Sequence, residues 1–144
     1  MTKIVFNACF GGFSLSHEAI LRYAEIKGIT VYPEQDTKYP SMGITTYWLK
    51  PEGERPNQDN WNELSLDMRA ASNKAMSEAQ FYDRTIPRND PALVQVVEEL
   101  GPKASGRYAK LMIAEVEEGT KYRIDEYDGN ESVMTVDDYD WLIA

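Results

Sequence analysis

Cysteine and histidine are nearly absent: Cys9 and His17 are the only ones in 144 residues. A single cysteine excludes an intrachain disulfide and any cysteine-built metal cage, and it predicts a reducing, cytoplasmic setting. With one histidine, a metal site would have to be built from carboxylates. The acidic stretch "DEYDGNE" (125–131) lacks the length and spacing of a calcium loop. No apolar run approaches the roughly 20 residues that span a bilayer, and no secretion signal precedes the first strand-like segment. Basic residues are also scarce, 15 Lys and Arg against 24 Asp and Glu, for a net charge of −9. Non-specific binding to a nucleic-acid backbone draws on clustered cations, so this balance argues against it. It leaves room for a small anion held in a local arginine pocket. An acidic surface can also mimic DNA or keep a protein dispersed.

What is present suits a folded core. The hydrophobic fraction is 42%, with three tryptophans, nine tyrosines and four phenylalanines. Residues 3–8 read as a strand, 9–14 as a glycine turn, and the next stretch as a helix capped by Ser14 or Ser16. Ile20, Tyr23, Ala24 and the stem of Lys27 share one face of that helix, and Gly28 ends it. Segments 29–33 and 44–50 have β-branched and aromatic strand composition, joined by a polar connection containing Pro40. Residues 51–60, "PEGERPNQDN", lack apolar anchors and are predicted to form a mobile loop. From Trp61 to about Gln80 the pattern is helical, with Leu64, Met68, Ala71 and Met76 on one side. The clearest helix follows: Asp90 as N-cap, Pro91 at the first position, an apolar stripe of Leu93, Val96, Val97 and Leu100, then Gly101. Residues 107–116 and 121–127 read as strands, and Asp128-Gly129 as a hairpin turn into a return strand. The order β-α-β-β-α-α-β-β-β predicts an α+β fold, a single domain over 1–144, with a mostly antiparallel sheet packed by two or three helices.

Three stretches carry candidate chemistry. In "NACFGGFSLSHEAI" (7–20), Gly11 and Gly12 lie just before a helix N-terminus, where unpaired N–H groups favour an anion. The stretch has neither the Walker lysine nor the dinucleotide glycine spacing, so an ordinary strand-to-helix turn is the commoner meaning. Phe10 and Phe13 fit either the core or stacking on a base. Cys9 as nucleophile with His17 as its base is a weaker arrangement: they stand eight residues apart across a turn, and a small core residue is the usual role of a lone cysteine. In "YDRTIPRNDP" (82–91), Arg84 and Arg88 flank a rigid proline before a helix start, and guanidinium forks bind phosphates in two-pronged fashion. Two readings fit them equally: phosphate ligands, or an internal salt-bridge network with Asp83 and Asp90. The third stretch is the hairpin around Tyr127 and Asp128.

Three segments, "NACFGGFSLSHEAI", "SEAQFYDRTIPRNDPALVQVVEELGPKASGRYAKLMIAEV" and "IDEYDGNE", resemble a family of small phage proteins, identified here with the first type of Thoeris anti-defence protein. The likeness covers the first 27 residues and roughly 60–131. It implies a non-enzymatic sponge that binds and sequesters cyclic ADP-ribose isomers made by bacterial TIR-domain proteins, with some members also binding cyclic di- or trinucleotides. It implies homo-oligomers, dimers or larger, acting in the host cytoplasm without a cofactor. Many relatives end on a basic "HR-W" stretch where this chain has "DDYDWLIA", so nothing supplied by that tail is carried over. Such a ligand presents a pyrophosphate, ribose hydroxyls and an adenine face. The candidate contacts are Phe10, Phe13 and Tyr127 as aromatics, Gly11 and Gly12 for close backbone approach, Arg84 and Arg88 for phosphates, and the carboxylates Asp90 and Asp128. The main rival is an acidic inhibitor or DNA mimic acting directly on a host enzyme. A third reading is a small hydrolase of nucleotide signals using Cys9 or carboxylates.

Overall fold

The computed structural model describes residues 1–38, 43–138 and 143–144. The connection through Pro40 and the part of the acidic-aromatic tail from Tyr139 to Leu142 lie outside the described residues. The fold is α+β. In chain order the elements are β1 (Thr2–Asn7), α1 (His17–Lys27), β2 (Tyr32–Gln35), β3 (Thr45–Trp48), α2 (Leu66–Glu78), α3 (Pro91–Leu100), β4 (Leu111–Val116), β5 (Tyr122–Tyr127) and β6 (Asn130–Thr135). The strands pair antiparallel as β1–β4, β2–β3 and β5–β6. The chain falls into two compact units, 1–27 with 83–144, and 28–82.

The first unit holds the core. β1 and β4 run from Thr2 opposite Val116 to Asn7 opposite Leu111. Ile4 and Val5 are both fully buried, so both faces of β1 are covered. α3 supplies Leu93, Val96 and Val97 to this core, and α1 supplies Ala19, Ile20, Tyr23 and Ala24. The local signals for both helices act as the sequence predicts. Ser16 Oγ accepts the Ala19 amide (3.1 Å) at the start of α1, and Gly28 follows its end at φ +70°. At α3, Asp90 Oδ1 accepts the Ala92 amide (2.9 Å), and Pro91 occupies the first turn where no N–H is needed. The β5–β6 hairpin turns at Asp128 (φ 50°) and Gly129 (φ 88°), two left-handed residues that match the twist of the flanking strands.

Residues 107–110 depart from the predicted strand. Gly106 accepts the Ala109 amide (3.0 Å), which closes a β-turn with Arg107 and Tyr108 at its corners, and β4 begins only at Leu111. The turn starts at Gly106 because a Cβ there would lie 2.0 Å from Ser14 Oγ, and the glycine amide donates to the Ser14 carbonyl (2.9 Å).

In the second unit, Ser65 caps α2 through the Met68 amide (3.3 Å). That register turns Arg69, Ser72 and Met76 inward and leaves Met68 and Ala71 exposed, which corrects the predicted stripe. The Arg69 guanidinium lies over the Trp61 ring (5.3 Å), so a cation occupies a position expected of an apolar side chain. The 51–60 segment has an anchor of the same kind. Arg55 stacks on Trp48 (5.1 Å), donates to the Lys50 carbonyl (3.0 Å) and pairs with Glu34 (2.5 Å).

Candidate functional site

Segments far apart in sequence meet around Asn7, which is fully buried. Its Nδ2 donates to the carbonyls of Cys9 (2.8 Å) and Gly129 (2.9 Å), and its Oδ1 accepts the Lys110 amide (2.8 Å) and, more weakly, the Cys9 thiol (3.4 Å). One amide side chain thus fastens the glycine turn, the β5–β6 corner and the start of β4 to the end of β1. The site's second anchor runs along the edge of β1 that faces away from β4. There the Val5 amide donates to the Arg88 carbonyl (2.8 Å), and the Asn7 amide to Glu131 Oε1 (2.9 Å). Arg88 and Glu131 close this edge with a two-pronged ion pair at 2.5 and 2.9 Å. A strand edge that would otherwise present unpaired donors is capped by a carbonyl and a carboxylate.

The candidate residues separate by what they touch. Phe13 is buried, and the Arg88 guanidinium lies 3.6 Å from its ring centroid, so ring and cation are committed to each other and to Glu131. Of the two phenylalanines, Phe10 is the exposed one. Gly11 is a close-approach glycine, but the neighbour is the protein's own backbone: a Cβ there would lie 1.7 Å from the Tyr108 carbonyl oxygen. Gly12 faces open space and is required for its φ of +87°. Gly129 packs against the same loop, its Cβ position being 2.6 Å from the Phe10 carbonyl. Tyr127 and Asp128 are exposed at the hairpin corner. Segments 9–13, 88 and 127–131 therefore converge.

Arg84 and Asp90 lie outside this network. Arg84 is exposed on a 3-10 turn (Asp83–Thr85), with no side-chain partner among the described residues. Asp83 accepts the Leu15 amide (2.9 Å). Asp90 is buried at the start of α3, where Oδ2 accepts the Tyr23 hydroxyl (2.8 Å) and lies 3.4 Å from Lys27 Nζ. Burial by itself would raise the Asp90 carboxyl, but the Tyr23 hydroxyl, the Ala92 amide and Lys27 outweigh it and hold the group below its ordinary value. The Tyr23 hydroxyl is pushed up, first by burial and then by this carboxylate. The predicted network of Arg84 and Arg88 with Asp83 and Asp90 is thus replaced by other pairings, Arg88 with Glu131 and Asp90 with Tyr23 and Lys27.

The thiol of Cys9 donates to the Tyr108 carbonyl (2.9 Å), and neither of its hydrogen-bond partners is a base. Among the described residues no group of three or more His, Cys, Asp or Glu side chains is placed to hold a metal ion, and no helix is long and apolar enough to cross a membrane.

Sequence reasoning missed Asn7, Glu131 and the 107–110 turn. The local signal for the turn is Gly106, which the strand-like composition of the aromatic and apolar residues after it masks. Glu131 carries no local signal, and Asn7 reaches only Cys9 nearby; their other partners are tens of residues away. A groove of about 580 Å³ between Met1–Lys3 and the Asn89–Glu99 side of α3 includes none of these residues. Comparison with protein-family models, with curated proteins and with solved structures finds no match to this chain.

Proposed function

We propose that the protein is a phage-encoded sponge that binds a cyclic ADP-ribose isomer in the host cytoplasm and holds it without cleaving it, acting as a homo-oligomer. The observation that carries this reading is the convergence at Asn7. The stretches on which the resemblance rests, around the glycine turn, the "IPR" segment, the "GRYAK" turn and the "EYDGNE" hairpin, are far apart in sequence and meet there. Around that junction stand three exposed rings, Phe10 (62% exposed), Tyr108 (66%) and Tyr127 (80%). Large exposed rings on a pinned backbone add nothing to the core, and they offer faces for a purine. Affinity is within reach of such a ligand: about 35 heavy atoms at about 0.3 kcal/mol each approach the roughly −12 kcal/mol of a nanomolar complex. Sequestration asks for no general base or metal-activated water.

Calorimetry with a cyclic ADP-ribose isomer, followed by heat denaturation and chromatographic recovery of the nucleotide, tests the proposal. Binding with intact recovery is the expected result. Conversion of the nucleotide would make the protein an enzyme. Absence of binding would overturn the sponge and favour the acidic surface acting on a protein partner.

A further inference from the structure

We propose that the phosphate and base contacts of this site come from the turn 106–110, with Arg107 and Lys110 on the pyrophosphate and Tyr108 stacked on the adenine beside Phe10. The inference rests on the functional reading above and assigns its ligand-contacting residues.

Arg88 is removed from that role by its own geometry. Its guanidinium is engaged by both Glu131 oxygens and by the Phe13 ring, and its side chain is largely buried. Releasing it to a ligand would leave the Glu131 carboxylate buried without its cation. Arg107 and Lys110 are the opposite case. In a chain of net charge −9, where most described arginines pair with a carboxylate, both are exposed and neither has an ion-pair partner among the described residues. Arg107 lies 5.3 Å from the centroid of the Tyr108 ring, so a cation and an aromatic face are presented together.

The turn that carries them is held at several points of its backbone. Gly106 donates to Ser14 and accepts from Ala109, the Tyr108 carbonyl accepts the Cys9 thiol, the Lys110 amide donates to Asn7, and the Lys110 carbonyl accepts the Ala8 amide (2.8 Å). The Gly11 backbone lies against the Tyr108 carbonyl, so Phe10 and Tyr108 extend from two loops in direct backbone contact. Side chains left free on a backbone fixed in this way lose little freedom on binding beyond their own rotamers. Exposed cations with no ion-pair partner among the described residues, beside exposed rings, suit a ligand with two phosphates and a purine.

The test uses the full chain and a cyclic ADP-ribose isomer prepared with a TIR-domain enzyme, with affinity measured by calorimetry at two salt concentrations. Arg107→Ala and Lys110→Ala should each weaken binding about ten- to a hundredfold, the range of a lost charged hydrogen bond, and reduce its salt dependence. Tyr108→Ala should weaken it by at least about fivefold while Tyr108→Phe retains it. Lys121→Ala, an exposed cation away from the turn, should bind as the parent does. Far-UV circular dichroism checks each fold, and Arg107→Gln replaces Arg107→Ala if the latter is not native. If the parent protein binds the isomer and the folded Arg107 and Lys110 variants bind equally well, the assignment is wrong and the sponge reading stands. If the parent binds no isomer, the sponge reading and this assignment fall together.

Discussion

Arg88→Ala separates a structural arginine from a ligand arginine. The wild-type side chain makes two charged hydrogen bonds to Glu131, and the two side chains are only 16% and 8% exposed. Removing the arginine strands a carboxylate that keeps its hydrogen bond from the Asn7 amide at 2.9 Å. Breaking a buried pair from one side typically costs about 3–5 kcal/mol, against about 0–1 kcal/mol for an exposed one. Loss of the Arg88–Phe13 contact at 3.6 Å lies within the same figure, because the two interactions share one guanidinium. The expected loss is therefore about 3–5 kcal/mol, a large part of the stability of a chain this size. Urea unfolding followed by far-UV circular dichroism reads it as a fall in the midpoint at unchanged slope. Glu131→Gln keeps an acceptor for Asn7 while removing the charge, so it should cost less. The double variant Arg88→Ala/Glu131→Gln should be more stable than the sum of the two losses predicts by at least about 1 kcal/mol. A loss under about 1 kcal/mol for Arg88→Ala would mean that water screens the pair, and Arg88 would return as a candidate ligand contact.

Asp90→Ala removes the cap of α3 and the acceptor of the Tyr23 hydroxyl, and should cost about 2–3 kcal/mol in a melt at pH 7. Because the folded carboxyl titrates below its ordinary value, the wild-type advantage should be full above about pH 4 and decline as pH falls through the lower folded value; a gap between the two proteins that widens on acidification would contradict this. Gly11→Ala places a Cβ 1.7 Å from the Tyr108 carbonyl oxygen and should lower stability by at least about 2 kcal/mol in chemical denaturation. Gly12→Ala meets only its φ of +87° and should cost about 1–2 kcal/mol, so the reverse ranking would put the loop's constraint at the wrong glycine. Glu98→Ala breaks an exposed pair with Lys3 at 3.0 Å and should change the melting midpoint by no more than about 1 kcal/mol's worth.

Nearest-neighbour chemistry was legible in the sequence. The Asp90-Pro91 start of α3, the Ser16 cap and Gly28 end of α1, and the Asp128-Gly129 corner each depend on atoms within a few residues, so composition alone places them. The order of elements follows from the same local signals. The stripe of α2 differs from the hydropathy pattern because the Arg69 guanidinium lies over Trp61, and such a pattern counts a cation as surface; Arg55 over Trp48 hides the anchor of the 51–60 segment in the same way. What only the tertiary structure decided is long in sequence and short in space: β1 beside β4, Arg88 beside Glu131, and Asn7 holding Gly129 and Lys110 together. No periodicity encodes such pairings, because they form only when the edge donors of β1 have to find acceptors in the folded chain. That requirement takes Arg88 into the interior and leaves Arg107 and Lys110 outside.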